Sequence, residues 1–161
     1  MILSKAQIGR CGELFVQFKL LMHGVESSPL TTDAGIDLVA FSPRRQEAVT
    51  IQVKTNLVAK PGGGTGKPHL DWWAEDTPKA DVFAFVDLQL LRIWLVESSA
   101  LAAVAQQHPP GRYHFFMAVD ATTTARRDGK RLYDSEFVQY LFDNRVSDIF
   151  GEPTISPNKA D

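Results

Sequence analysis

Two short apolar segments separated by a polar connection constrain this chain more than any other feature. Residues 36–41 and 48–53 are mostly β-branched, aromatic or small, and the connection at 42–47 holds Pro43 and a cluster of charged residues. This pattern predicts an antiparallel β-hairpin with a connection of roughly six residues. Facing residues of such a pair have numbers that add to a constant, so a connection centred on 44 and 45 sets Asp37 opposite Gln52.

The polar side chains of this hairpin are predicted to share one face. Lys54 follows Gln52 by two residues, and side chains alternate along a strand. The other face carries the apolar residues Ile36, Leu38, Val49, Ile51 and Val53. A slip of one residue would bury Asp37 and Lys54, so this register is the favoured one. A carboxylate, an amide oxygen and an ammonium group on one face suit phosphodiester chemistry.

A long helix is predicted before the hairpin, from Ser4 to His23. Ser4 and Gln7 have the spacing of a capping box, and Gly24 is a C-terminal stop signal. The main apolar stripe of the helical wheel consists of Ile8, Cys11, Phe15, Phe18 and Met22. Glu13 lies on a second arc with Gly9, Val16 and Leu20. A helix apolar on two arcs is expected to be covered on more than one side, which makes Glu13 a candidate to point toward the hairpin.

The order of these residues resembles the PD-(D/E)xK nuclease superfamily. The matching segments are Gly12-Glu13 on a first helix, Gly35-Ile36-Asp37 on a strand and Gln52-Val53-Lys54 on the next strand. The chain is most similar to the QxK variants found in group I intron-encoded homing endonucleases, and more distantly to archaeal Holliday-junction resolvases. Ile36 stands where the motif has Pro, and Gln52 stands where it has a second acidic ligand. The resemblance implies an α/β fold with a restriction-endonuclease-like core, a mixed central β-sheet flanked by α-helices.

The resemblance also implies roles for these residues. Asp37 would be the principal ligand of Mg²⁺, or of Mn²⁺, with Gln52, the Val53 carbonyl and Glu13 as further candidate ligands. Lys54 would position the attacking water and stabilise the transition state. Glu13 would bind a second ion, hold a metal-bound water or orient Lys54, and the spacing does not rank these alternatives. The implied activity is metal-dependent endonucleolytic hydrolysis of DNA, in a mobile-element, recombination or defence system.

A second interpretation is a catalytically inactive nuclease-fold protein that binds nucleic acid or a protein partner, for example as an immunity module. The complete set Glu13, Asp37, Gln52 and Lys54 favours the enzyme, whereas the substituted Gln52 and the net charge of -2 favour the inactive relative. Several basic residues are candidate nucleic-acid contacts, with ordinary solvated turns as the alternative: Arg44, Arg45, Lys60, Lys67, Arg126, Arg127, Lys130 and Arg131.

Composition is consistent with one domain over residues 1–150 and a flexible tail over 151–161. No apolar run reaches membrane-spanning length. The single cysteine, Cys11, favours a reducing cytoplasm and is expected to lie in the core.

Because one site cuts one strand, a homodimer or higher homo-oligomer is expected. Its contact is expected on Leu91–Val96, including Ile93 and Trp94, or on the C-terminal helix.

Further elements follow the hairpin. Residues 60–68 are a Gly- and Pro-rich loop without the Walker A spacing, and Trp72 and Trp73 are expected to fill a core edge in preference to stacking on bases. Strands are predicted at 82–88, 91–96 and 113–119, and a helix from Ser98 to near His108. A final helix over 134–150 is predicted to bury Phe137, Val138, Leu141, Phe142 and Val146. The four histidines lack a zinc-ligand spacing.

Overall fold

The computed structural model describes residues 2–32, 34–42, 44, 46–62, 66–119 and 132–153. Its strands are β1 (Glu26–Pro29), β2 (Leu38–Ser42), β3 (Glu47–Asn56), β4 (Lys60–Pro61), β5 (Pro68–Glu75), β6 (Val82–Asp87), β7 (Arg92–Glu97) and β8 (Arg112–Ala118). Its α-helices are α1 (Lys5–Met22), α2 (Leu101–Val104) and α3 (Phe142–Phe150), with 3₁₀ helices at Ser98–Ala100 and Asp134–Tyr140.

The strands form two sheets. The larger sheet has the order β1-β2-β3-β6-β7, and the smaller has the order β4-β5-β8. Within the larger sheet β3 and β6 are parallel, whereas the other neighbouring pairs are antiparallel. The predicted mixed central sheet is therefore confirmed.

The two faces of the larger sheet are covered differently. Helices α1 and α3 pack on one face, where Val16, Leu20 and Val146 join the core formed with Ile51 and Ala84. The smaller sheet packs on the other face, where its inward side chains meet the aromatic residues of β6 and β7. These include Leu70, Trp72, Phe83, Phe85, Trp94, Phe115 and Met117. The predicted flanking helices α1 and α3 therefore cover one face. On the other face a second sheet that was not predicted packs together with α2 and the 3₁₀ helix Asp134–Tyr140.

The β2–β3 hairpin has the predicted register. Leu38 pairs with Ile51 and Ala40 with Val49, so the residue numbers add to the same constant that places Asp37 opposite Gln52. Strand β3 continues to Asn56, beyond the predicted end at Val53, because β6 pairs with it along this length. Strand β1 was not predicted, since it is short and mostly polar.

Helix α1 has the predicted capping box, but its predicted main stripe is wrong. The Ser4 side chain accepts from the Gln7 N–H at 3.2 Å, and the Ser4 N–H donates to the Gln7 side chain at 2.8 Å. The buried residues of the helix are Gly12, Val16 and Leu20, whereas Cys11, Phe18 and Met22 are exposed. Gly12 has no side chain, so the helix approaches β3 most closely along this arc and turns the larger residues outward.

Two predicted helices are shorter than expected. The helix after Ser98 ends at Val104, because the backbone becomes extended at Ala105. The segment 134–150 divides at Leu141, whose extended backbone forms a β-bridge with Trp94. Phe137, Phe142 and Val146 are buried as predicted, but Val138 is 47% exposed, which contradicts its predicted inner position.

Some aromatic and apolar residues of β5 and β7 differ in burial from what the sequence predicts. Trp72 is buried as predicted, but Trp73 is 41% exposed because alternate residues of β5 face outward. Ile93 and Trp94 are buried, so the predicted oligomer contact through these two residues is wrong.

The division into a domain at 1–150 and a tail at 151–161 stays a prediction, and residues 154–161 of that tail lie outside the described part of the chain. None of the helices in the described ranges is long and apolar enough to span a lipid bilayer.

Candidate active site

Asp37 lies immediately before β2, at the point where β2 stops pairing with β3. Its N–H donates to the carbonyl of Ile51 at 2.9 Å, and its own carbonyl accepts from the N–H of Leu30 at 3.0 Å. Among the residues that the structure describes, no strand pairs with β3 on the β2 side beyond this point. The N–H of Val53 on that free edge donates to Oδ2 of Asp37 at 2.6 Å, which holds the carboxylate against β3.

Gln52 is 8% exposed and faces away from α1. Its position in β3 pairs with Phe83 of β6, whose side chain lies in the core between the two sheets. The amide of Gln52 points toward Gly35, since Nε2 lies 4.0 Å from where a Cβ atom of Gly35 would be. It has no hydrogen-bond partner among the residues that the structure describes. The amide is not among the fully buried polar atoms without a partner in the described residues, so it keeps access to solvent and can be reached by a ligand.

Lys54 lies two residues further along β3 on the same side as Gln52, opposite Phe85 of β6. It is half-buried, and within the described ranges its ammonium has no ion-pair partner. The structure therefore brings together three of the four residues predicted for the site, Asp37, Gln52 and Lys54.

Glu13 lies in the helix layer, beside the same stretch of β3. The adjacent Gly12 packs directly on Thr55, so this turn of α1 lies over the free edge of the strand. The Glu13 carboxylate is 24% exposed and forms an ion pair with Arg10 at 2.7 Å. Glu13 therefore approaches the site from the opposite side of β3, with its carboxylate engaged by a neighbour on the same helix.

The donor set at this edge fits a hard divalent cation. A carboxylate from Asp37, an amide oxygen from Gln52 and a strand carbonyl from Val53 are oxygen donors of the kind that Mg²⁺ prefers. No cluster of three or more His, Cys, Asp or Glu side chains is placed to hold a metal in the described part of the chain.

Three of the basic residues predicted to contact nucleic acid lie in the described part of the chain, and Arg44 lies apart from the other two. Arg44 lies at the far end of the hairpin, roughly 20 Å from Asp37, and its side chain packs against Gly151. Lys60 and Lys67 flank the start of the smaller sheet, where Lys60 pairs with His69. The other predicted residues lie outside the described part of the chain: Arg45, Arg126, Arg127, Lys130 and Arg131.

Lys79 also reaches the site, although no motif in the sequence indicates it. Its Cδ lies 3.6 Å from the position of a Cβ atom on Gly35, the same point that the Gln52 amide approaches. Gly35 has a φ of 82°, in the left-handed region that favours glycine. Lys79 lies just before β6, and only the parallel pairing of β6 with β3 brings it here.

Comparison with known proteins shows the fold. A solved structure of a bacterial homing endonuclease, I-Ssp6803I, superposes with a TM-score of 0.60 over 92% of this chain and 93% of that chain, at 14% sequence identity. The chain therefore has a nuclease-like α/β fold, with the mixed sheet and helices described above. No protein-family model matches the chain, and no curated protein matches it.

Proposed function

We propose that this protein is a metal-dependent DNA endonuclease of the PD-(D/E)xK type, with Gln in place of the second acidic ligand. The observation that carries the proposal is the Gln52 amide. Gln52 as a residue is only 8% exposed, its amide bonds to no other residue within the described ranges, and it lies between Asp37 and Lys54 on one face. The fold likeness to a homing endonuclease supports the same assignment.

The metal site is proposed to use Asp37, Gln52 and the Val53 carbonyl, with Glu13 nearby in the helix layer. When bound, Mg²⁺ or Mn²⁺ supplies positive charge that offsets the negative charge developing on the phosphate. The hydrogen bond from the Val53 N–H to Asp37 fixes the carboxylate before substrate arrives. Such preorganisation lowers the cost of charge development in the transition state.

Lys54 is proposed to act on the phosphate and the attacking water. Lys54 is a half-buried residue two positions from Gln52 on the same side of β3, where reduced access of solvent strengthens its attraction for a phosphate oxygen. It stabilises the negative charge of the transition state and orients the water for attack in line with the leaving oxygen.

The substrate is proposed to be DNA, and the biological setting a mobile-element, recombination or defence system. A protein that cuts both strands needs two such sites, so we propose a homodimer or higher homo-oligomer. The alternative is an inactive relative that binds nucleic acid or a protein. The ion pair of Glu13 with Arg10 favours that alternative, since it occupies a carboxylate of the predicted site.

The proposal is tested by incubating the protein with plasmid, linear and branched DNA in Mg²⁺, Mn²⁺ or EDTA. We expect cleavage by the wild type in either metal and none in EDTA. Asp37→Ala and Lys54→Ala should each lower the cleavage rate by at least about a hundredfold, because the first removes the principal metal ligand and the second removes positive charge from the reacting phosphate.

The matched control is Lys19→Ala, which removes a lysine that pairs with Asp143 of α3, in the helix layer. This variant should cut like the wild type, and circular dichroism should show all three variants folded. A wild type that cuts no nucleic acid in either metal, or a Lys54→Ala protein that cuts at the wild-type rate, contradicts the enzyme and supports the inactive relative.

A further inference from the structure

The backbone that carries Lys79 is held rigidly between two strands of the larger sheet. The N–H of Thr50 in β3 donates to Oδ2 of Asp81 at 2.8 Å, and the N–H of Asp81 donates to the Thr50 carbonyl at 3.0 Å. The N–H of Ser98, just after β7, donates to the Asp81 carbonyl at 2.9 Å, and the Ser98 hydroxyl donates to the carbonyl of Ala80. Ala80 is itself buried. The residue before these, Lys79, is therefore presented from a fixed point.

The side chain of Lys79 extends from this point over Gly35. Its Cδ and the Nε2 of Gln52 approach the same position, where any residue other than glycine would place its Cβ atom. The side chain is exposed, and its ammonium has no hydrogen-bond or ion-pair partner in the described part of the chain. A flexible lysine whose stem packs on a surface keeps its charged end in solvent, available to a ligand.

The two lysines of this region differ in depth. Lys54 is half-buried on β3, whereas Lys79 is exposed above Gly35. Both lysines lie next to Gln52, with Lys54 as the deeper cation and Lys79 as the outer one. An extended phosphodiester strand presents a negative charge at every nucleotide, so two cations at different depths suit two successive phosphates.

We propose that Lys79 binds the DNA phosphate that flanks the scissile bond, while Lys54 faces the scissile phosphate itself. This inference rests on the proposed function, because it takes DNA as the ligand. Lys79 then acts as a substrate-binding residue that sets the position of the strand over Gln52. Lys79 then raises the affinity for DNA without changing the rate of the chemical step, because a flanking phosphate keeps the same charge in the ground state and the transition state.

The experiment compares the wild type with Lys79→Gln, Lys79→Arg and the control Lys19→Gln. Duplex binding is measured by fluorescence anisotropy over a salt series, with Ca²⁺ in place of Mg²⁺, and cleavage is measured under single turnover in Mg²⁺. For Lys79→Gln we expect affinity lower by roughly tenfold and a slope of log K against log salt smaller by about 0.9. The cleavage rate at saturating protein should change by less than about threefold, because the chemistry is left to Lys54.

The other two variants show whether loss of the Lys79 charge causes the lower affinity for DNA. Lys79→Arg should keep most of the affinity, because it keeps the charge, and Lys19→Gln should bind like the wild type. An unchanged salt slope for Lys79→Gln overturns the inference, even where the wild type cuts DNA and the proposed function stands. A wild type that binds DNA without cutting, with the slope still reduced in Lys79→Gln, overturns the nuclease and supports the phosphate contact. A wild type that neither binds nor cuts DNA overturns both.

Discussion

Gln52 is the residue on which the proposed chemistry depends most. A neutral amide oxygen binds Mg²⁺ less strongly than a carboxylate, so the proposed site relies on Asp37, Glu13 and the substrate phosphate for the remaining charge. Because position 52 is buried, glutamine and a carboxylate differ strongly there. A second carboxylate would be repelled by Asp37 when no ion is bound. The amide is therefore suited to a site that is stable without metal and binds it weakly.

Substitution of Gln52 tests this account. Gln52→Glu adds a charge at the same side-chain length, so we expect it to bind Mg²⁺ at least as tightly as the wild type and to keep measurable cleavage. It should also melt at a lower temperature in EDTA and gain more from added Mg²⁺. Gln52→Ala should raise the metal concentration needed for cleavage. Isothermal calorimetry and thermal melts with and without metal measure these effects.

The control is Gln17→Ala, which removes a half-buried glutamine that bonds to the Ser27 carbonyl in the helix layer. Its metal titration should match that of the wild type. If the wild type, Gln52→Glu and Gln52→Ala give indistinguishable Mg²⁺ and Mn²⁺ titrations, Gln52 does not belong to a metal site.

The contact between α1 and β3 is the element that positions Glu13. A Cβ atom on Gly12 would collide with the Oγ1 of Thr55 and lie 3.0 Å from its Cβ atom. Thr55 is β-branched and stiff, so it cannot move aside without changing its rotamer. Helix α1 therefore lies at a distance from β3 that only glycine permits. The position of the neighbouring Glu13 relative to β3 depends on that distance.

We expect Gly12→Ala to destabilise the protein by about 1–3 kcal/mol, because the extra methyl group overpacks this contact. Gly9→Ala is the matched control on the same helix. Nothing lies within 4 Å of a Cβ atom there. The control should be stabilised by about 0.5–1 kcal/mol through higher helix propensity. Chemical denaturation of both variants, read by circular dichroism, measures the difference.

Thr55→Ala in the Gly12→Ala background should recover part of the loss, since it removes the atoms of closest approach. Equal stability of Gly12→Ala and Gly9→Ala would show that α1 adjusts freely and that the close approach has no energetic consequence.

At the scale of the whole molecule, the exposed side of α1 is unusually apolar for a surface helix. Leu14, Phe18, Leu21 and Met22 are 51%, 57%, 59% and 73% exposed, and their spacing places them on one side of the helix. Contiguous exposed apolar surface of this kind marks an association site. This side replaces Ile93 and Trp94 as the contact expected for the proposed homo-oligomer.

We expect the wild type to be a dimer or larger by light scattering. Phe18→Glu should shift it toward monomer, because it places a charge at the centre of the apolar side. The control is Trp73→Glu on β5, where the side chain is 41% exposed on the smaller sheet, which packs on the face of the larger sheet opposite α1. A wild type that stays monomeric at high concentration, with and without DNA, contradicts both the oligomer and this contact.

Several features of the fold and site follow from the sequence alone because they depend on residues close together in the chain. The capping box of α1 and the register of the β2–β3 hairpin are of this kind. The alternation of side chains along β3 then places Gln52 and Lys54 on the same face of the sheet as Asp37, which lies across the hairpin from Gln52. Local turn chemistry and the two-residue period of a strand determine these relations.

Other features were decided only by the tertiary structure. The arc of α1 that is buried depends on how closely Gly12 approaches Thr55, which no helical wheel contains. The smaller sheet covers a face that was expected to carry helices. The sequence does not predict this sheet, because its strands pair across about 40 residues of sequence. Lys79 reaches Gln52 only because β6 lies parallel to β3. These contacts join residues distant in sequence, and they form where packing of the whole core is most favourable.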